Sequence, residues 1–314
     1  MRIFDKFAQF VLNGRSRAIA MAVLLVFLPI SRLFGWAVLG LVTLRKGAIE
    51  GGIVLGFLVL ALVGIGLGLK TFGPQEAVES SQQMVSLGLV GLVLSSFFVW
   101  VLAIVLRQQA SWSRVFQTSL WSGIVIIVAA HLMYPELIAF WIPIVKDNLL
   151  RMQTQFPEMK LSSADTLSAQ AAKVMTGAHI LITLLASLLS LLIARWWQAS
   201  LYNPRGLRQE LLQIRFGVLE TVLLGVVALF ALTDISATGK AIAIDIIPVI
   251  GILFVLAGLS LVHRFIAIVK KPWVGVLIFY GLLLVVEFRY MILLLVSLAL
   301  VDSLINLNAR LIKR

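Results

Sequence analysis

Ten apolar runs separated by short polar connectors fill most of the chain: residues 18–30, 34–44, 53–69, 85–106, 115–134, 176–194, 218–232, 246–262, 273–286 and 291–307. Several approach the roughly 20 apolar residues that a bilayer core of about 30 Å requires of a helix. Of 314 residues, 61% are hydrophobic and 13% charged, against about 45–50% and 25% in a soluble domain. So much apolar surface cannot be enclosed in one aqueous core, and lipid has to take the place of water. There the backbone must satisfy its own hydrogen bonds, which leaves helices or closed barrels. Barrel strands alternate polar with apolar residues, and these runs do not. The expected fold is all-α: a polytopic helical membrane protein with eight to ten transmembrane helices in one integral domain, residues 1–314.

Two hairpins are tight. Run 18–30 has 13 residues and rises only about 20 Å as a helix. With Pro29, Ser31, Arg32 and Gly35 at its turn, the first hairpin is a candidate re-entrant element covered by protein. The pair spanning 273–307 turns at Glu287, Phe288, Arg289 and Tyr290. Arg15 and Arg17 precede the first run as in a signal peptide, but no small-x-small cleavage site with a polar sequel follows, so it is read as a span.

Basic residues favour the cytoplasmic connectors of such a protein. Segments 1–17, 45–52, 107–114, 195–217, 264–271 and 308–314, with Glu220 and Asp302, hold 18 basic and 5 acidic residues, whereas the opposite side holds 8 and 9. Both termini are therefore expected inside, on the cytoplasmic face. The same distribution explains the net charge of +12 without nucleic acid, since the cations sit singly or in pairs and form no reading patch. The chain has no cysteine, which excludes disulfides, thiolate metal sites and cysteine nucleophiles.

Three segments lie outside the spans. Residues 1–14 space Ile3, Phe4, Phe7, Phe10 and Val11 helically, with Arg2, Lys6 and Gln9 elsewhere, and predict an interfacial amphipathic helix. Residues 135–175, interrupted by Pro135, Pro143 and Pro157, form an extracytoplasmic helical connector. In it Ile144, Val145, Leu149, Met152 and Phe156 share a side and Ser163 is an N-cap. It reads either as a lid or as a passive connector. Residues 195–217 form a basic cytoplasmic element: Trp196, Trp197 and Tyr202 suit the headgroup level, Asn203, Pro204 and Gly206 a turn, and Leu207 to Phe216 a basic amphipathic helix.

The residues Arg195, Trp196, Trp197, Gln198, Leu201, Tyr202, Asn203, Pro204 and Gly206, together with Val42-Thr43-Leu44-Arg45-Lys46-Gly47, resemble the YybS-like family of bacterial polytopic membrane proteins. Arg205 departs from that pattern, where a second glycine is more usual. The family has no settled activity, and its order of segments is similar to that of the substrate-binding S components of energy-coupling-factor transporters and of the rod-shape protein MreD. The S-component likeness implies a partner-docking role for Ala18 and Ala22 on the first helix. Those two, like Gly47 and Gly51, Gly52 and Gly56, and Gly64 and Gly68, equally suit close helix packing.

Ionisable groups cost about 2.5–3.5 kcal/mol each at mid-membrane, so those near the spans are candidates for function. His131, His179, Asp234, Asp245, Glu287 and Arg289 fall toward the outer ends and could form a substrate-binding cup with Tyr134, Trp141, Tyr280 and Tyr290. Each also has a plainer reading: Glu287 and Arg289 as an exposed turn, Asp234 and Asp245 as flanks of a short external loop, the histidines as interfacial hydrogen-bonding residues. Glu220 suits a helix N-terminus, and Asp302, inside the last run, needs a partner. Arg195, Trp196, Trp197, Tyr202, Asn203, Pro204 and Arg208 are candidates for contact with a partner protein or anionic lipid. No metal motif, cofactor site or catalytic constellation is apparent, so no enzymatic activity is expected. The function expected is transport-related solute binding on the extracytoplasmic side. The alternative is a non-catalytic envelope or assembly factor acting through the RWWQ to LYNP element with a membrane or cytoplasmic partner.

Overall fold

The computed structural model describes residues 3–28, 31–72, 79–156, 158, 163–203, 206–269 and 271–307. Arg2, Pro29, Pro157, Pro204, Arg205 and residues 308–314, singled out in the sequence, lie outside these. Every element of the described residues is a helix: α1 (Ile3–Leu12), α2 (Arg15–Phe27), α3 (Arg32–Lys46), α4 (Ala48–Phe72), α5 (Glu79–Gln109), α6 (Trp112–Met133), α7 (Leu137–Gln155), α8 (Ala164–Ala172), α9 (Met175–Tyr202), α10 (Gly206–Leu211), α11 (Val218–Leu232), α12 (Ala237–Ile268), α13 (Pro272–Val285) and α14 (Phe288–Ile305). Six of them, α4, α5, α6, α9, α12 and α14, are long and apolar enough to cross a bilayer, and α11 and α13 are shorter apolar helices. The protein is an all-α, multi-pass membrane protein.

The centre is α3, buried continuously from Gly35 to Leu44 and packed on α2, α9, α5 and α4. Small residues allow this crowding. A Cβ on Gly35 would lie 2.7 Å from the Val26 amide nitrogen and 2.8 Å from the Ala22 carbonyl, and one on Gly40 would meet Ala194 at 3.0 Å. Trp36 Nε1 donates to Ser96 Oγ at 2.9 Å, so the one polar atom that indole brings into the core is satisfied. Ala18 and Ala22 are 1% and 0% exposed. The small face of α2 is therefore consumed inside the chain, which corrects the partner-docking role implied for it. Gly47, at φ +107°, turns α3 directly into α4, and Arg107 Nη1 donates to the Leu44 carbonyl that this end exposes. Gly51 packs against Thr43, whereas Gly56, Gly64 and Gly68 face no neighbour within 4 Å, leaving that side of α4 unpaired.

Three features differ from the sequence reading. α12 starts at Ala237, well before the run at 246–262: Ser236 Oγ accepts the Gly239 N–H at 3.1 Å as an N-cap, and the helix continues through Pro248. Asp245 is thus not a loop flank; it lies inside a helix and is 2% exposed. In the connector, Ser163 caps α8 as expected, with Thr166 N–H at 3.3 Å. Only part of the expected apolar side of α7 is buried, however: Ile144 and Val145 pack, but Met152 and Phe156 are exposed.

The third difference is at α10, which ends at Leu211 instead of running to Phe216. Its expected continuation is unwound because side chains of other helices take its carbonyls. Ser260 Oγ donates to Leu211 O at 2.7 Å, Arg264 Nε to Leu212 O at 2.6 Å and Ser113 Oγ to Gln213 O at 3.2 Å. Phe216 then inserts into the core, stacked on Phe254 with ring centroids 4.8 Å apart.

Candidate functional site

At the end of the bundle that carries α7 and α8, three helices bring ionisable groups together. Near the C-terminus of α6, His131 Nε2 lies 2.7 Å from Asp245 Oδ2 of α12. The other oxygen, Oδ1, accepts the Gly177 N–H of α9 at 2.7 Å. His131 and Asp245 are 8% and 2% exposed. A glycine is required at 177, since a Cβ there would lie 2.2 Å from the Asp245 carbonyl oxygen. Both oxygens of the Asp245 carboxyl are thus engaged, Oδ1 by a backbone donor and Oδ2 by the imidazole.

His179 is two residues beyond Gly177 on α9. Its Nε2 is buried with no hydrogen-bond partner among the described residues, and its ring stands 6.1 Å from that of Trp141. Trp141, from α7, donates Nε1–H to Thr176 Oγ1 at 2.9 Å. On the α5 side, Gly91 gives the imidazole its room: a Cβ there would meet the ring at 3.2 Å.

A cleft of about 310 Å³ opens at this end of the bundle, lined by Ile138, Lys173, Asp234, Ala237, Lys240, Ala241 and Ile244. Ala241 is one helical turn before Asp245 on α12, so the cleft borders the helix that carries the buried carboxylate, while His131, Asp245 and His179 do not line it. Lys240 Nζ contacts Asp234 Oδ1 at 2.6 Å. That hydrogen bond, and then the ammonium's charge, hold the Asp234 carboxyl below the ordinary carboxylate range against a smaller desolvation effect. Lys173 is exposed, and no ion pair holds its ammonium among the described residues.

The six residues of the expected cup therefore separate. His131 and Asp245 form one buried pair, His179 faces α5 and α7 from a different side of α9, and Asp234 lines the cleft beside α12. Glu287 and Arg289 stay apart on the α13–α14 turn, exposed and paired with each other at 3.0 Å. Of the expected aromatics only Trp141 packs beside one of these, His179. Tyr134 is exposed, Tyr280 Oη sits 3.3 Å from His263 Nε2, and Tyr290 lies under Arg289. Sequence reasoning missed Gly177, Thr176 and Lys173. Gly177 and Thr176 open the α9 run just before His179, the one local signal that could have found them.

At the opposite end, the 195–217 element is tied to the bundle. Arg195 forms a two-pronged pair with Glu210, its Nε 3.0 Å from Oε2, and Trp112 Nε1 donates to the same oxygen at 3.2 Å. Trp197 is buried between Phe7 and Phe34. Trp196 is 39% exposed and packs on Phe4, Tyr202 lies under the Arg45 guanidinium, and Asn203 and Arg208 are exposed. Glu220 caps α11 by accepting the Gly217 N–H at 2.8 Å. Asp302 has Arg215 beside it, with Nε 3.9 Å away; Arg215 Nη2 also donates to the Asp302 carbonyl at 3.2 Å.

The described residues define a multi-pass helical membrane protein with a buried histidine–carboxylate pair and, along the same helix α12, an open cleft. The chain matches no family model, no curated protein and no solved structure.

Proposed function

We propose that the protein binds a small organic solute at this cleft as part of a transport process, the cleft facing outward across a bacterial cytoplasmic membrane. The observation that carries this reading is a cleft of about 310 Å³ bordered by Lys173, Lys240 and Asp234 and lying along the helix that also carries Asp245 of the buried pair, within the size range of small-molecule pockets. Two lysines and one aspartate line it, which favours a solute with an anionic group resting on Lys173. In the matching topology α4, α5, α6, α9, α11, α12, α13 and α14 cross the bilayer and both ends stay inside. The α2–α3 hairpin, about 20 Å deep, then re-enters from the face bearing α1. The excess of Lys and Arg on that face supports the orientation. The chain is read as a non-enzymatic relative of the YybS-like proteins.

A second reading, an envelope or assembly factor, is favoured by a different observation. Phe4, Phe10, Trp196 and Tyr202 are exposed, with Arg17 on Phe10 and Arg45 on Tyr202 and Arg208 exposed on α10, a surface suited to a partner protein or anionic headgroups.

Native mass spectrometry of the protein released from mild detergent discriminates the two. A small molecule retained by wild type and lost from Lys173→Ala and Lys240→Ala supports the solute reading. A protein partner lost from Arg208→Ala, with no small molecule bound, overturns it in favour of assembly.

A further inference from the structure

We infer that the ledge formed by α1, the first turn of α2, the α3–α4 turn and the last two turns of α9 binds anionic phospholipid headgroups. The spans set its depth. Tyr202 closes α9, one of the helices long and apolar enough to cross a bilayer, and Arg45 and Lys46 stand just before another, α4, which begins at Ala48. Side chains at such ends lie where acyl chains give way to headgroups. α1 is fixed at this level by Ala8 and Val11, both buried in the main core, and by Ser200 Oγ, which donates to Asp5 Oδ1 at 2.8 Å. Its outer side leaves Phe4 and Phe10 exposed, as are Trp196 and Tyr202 on α9. Contacts join them into one strip: Phe4 packs on Trp196, Phe10 lies under the Arg17 guanidinium at 5.1 Å, and Tyr202 under that of Arg45 at 3.7 Å. Exposed rings with cations stacked on them suit the boundary between acyl chains and headgroups.

Charge decides which headgroups. The carboxylates near the ledge are already engaged: Glu50 by Arg15 Nε at 3.0 Å, Glu210 by Arg195 Nε at 3.0 Å and Asp5 by Ser200. Arg17, Arg45, Lys46 and Arg208 are exposed, and no ion pair holds them among the described residues. The fold thus occupies the acids and leaves the cations to the surroundings. A guanidinium carries its N–H donors in a planar fork that matches two phosphate oxygens, and a headgroup without an ammonium of its own adds a net negative charge for it to meet. The bilayer that the adjoining spans require brings such headgroups to the ledge with no further component. This is the surface that the second reading above offers to a partner. Here its occupant is lipid, whether or not the cleft binds a solute.

The test places the full-length protein alone in phosphatidylcholine vesicles. Electron paramagnetic resonance of spin-labelled lipids then measures how strongly a phosphatidylglycerol probe is preferred over a phosphatidylcholine probe in the layer touching the protein. The unaltered chain should prefer phosphatidylglycerol, and the preference should shrink as salt rises from about 0.01 to 1 M, where the Debye length falls from about 30 to 3 Å. Each cation at a bilayer surface strengthens the hold on an anionic headgroup about fivefold, so Arg17→Ala combined with Arg45→Ala should remove most of the preference. Arg17→Lys combined with Arg45→Lys should retain it, because the charge stays. Arg289→Ala, at a turn where Glu287 already pairs the guanidinium, should leave it unchanged. The salt series needs no substitution and decides the matter even if the alanine variant does not fold. No preference in the unaltered protein, as expected of a face reserved for a protein partner, would overturn the proposal. So would a preference indifferent to salt, one that the alanine variant keeps in full, or an equal loss in the lysine and alanine variants.

Discussion

Gly177 and Asp245 are in backbone contact: the Gly177 amide donates to Asp245 Oδ1 at 2.7 Å, and a Cβ on Gly177 would come within 2.2 Å of the Asp245 carbonyl oxygen. The absence of a side chain at 177 is what lets α9 approach α12 closely enough for its first turn to hold a carboxylate from the neighbouring helix.

Gly177→Ala should therefore separate the two helices. Overpacking of this kind costs about 1–3 kcal/mol, and a lower Tm in detergent is expected. Gly64→Ala, on the open side of α4, is the matched control and should leave Tm within experimental error or raise it. Equal losses in both variants would contradict the role given to the contact.

Arg264 holds the unwound stretch after α10 through the Leu212 and Ile214 carbonyls and is itself 8% exposed. Arg264→Ala leaves those carbonyls without a charged donor, a loss of about 1.5–3 kcal/mol for the well-formed hydrogen bond to Leu212 O. The expected outcome is a lowered Tm together with faster tryptic cleavage at Arg208 or Arg215. Unchanged cleavage would show that the stretch is held by other contacts.

Asp234 offers a pH prediction. Its folded-state carboxyl is held low by Lys240, so the stabilisation from the pair is present above the ordinary aspartate value near about 3.9 and is lost as pH falls through the lower folded value. The pair is exposed to water and screened by salt. Asp234→Asn should lower Tm only slightly at neutral pH and low salt and leave it unchanged at high salt, while retention of an anionic solute rises because the competing carboxylate is gone. Thermal melts and native mass spectrometry of the same variant check both statements.

Much of the fold was legible because a bilayer demands long apolar runs, and the six long helices α4, α5, α6, α9, α12 and α14 all contain one. The misjudged ends have local causes. Asp245 and Pro248 look like boundary signals, yet packing of α12 against α6 and α9 carries the helix through them. The 207–216 pattern is amphipathic, but Ser260 and Arg264 lie far off in sequence, and nothing local announces that they will capture its carbonyls. The same holds for the site. Sequence places His131, His179, Asp245, Glu287 and Arg289 near ends of runs, whereas helix neighbours decide which of them meet, and α13 and α14 hold the last two apart from the buried pair.

Opposite sides of a bilayer for the cleft end and the α10 end, with the cleft outward, can be read directly by thiol labelling. The chain contains no cysteine, so Lys240→Cys and Arg208→Cys each give a single thiol. In bacterial cells with a permeabilised outer membrane, a membrane-impermeant maleimide should label the thiol at 240 at once and the thiol at 208 only after the inner membrane is opened. Labelling of both without opening, or of 208 before 240, would contradict this arrangement.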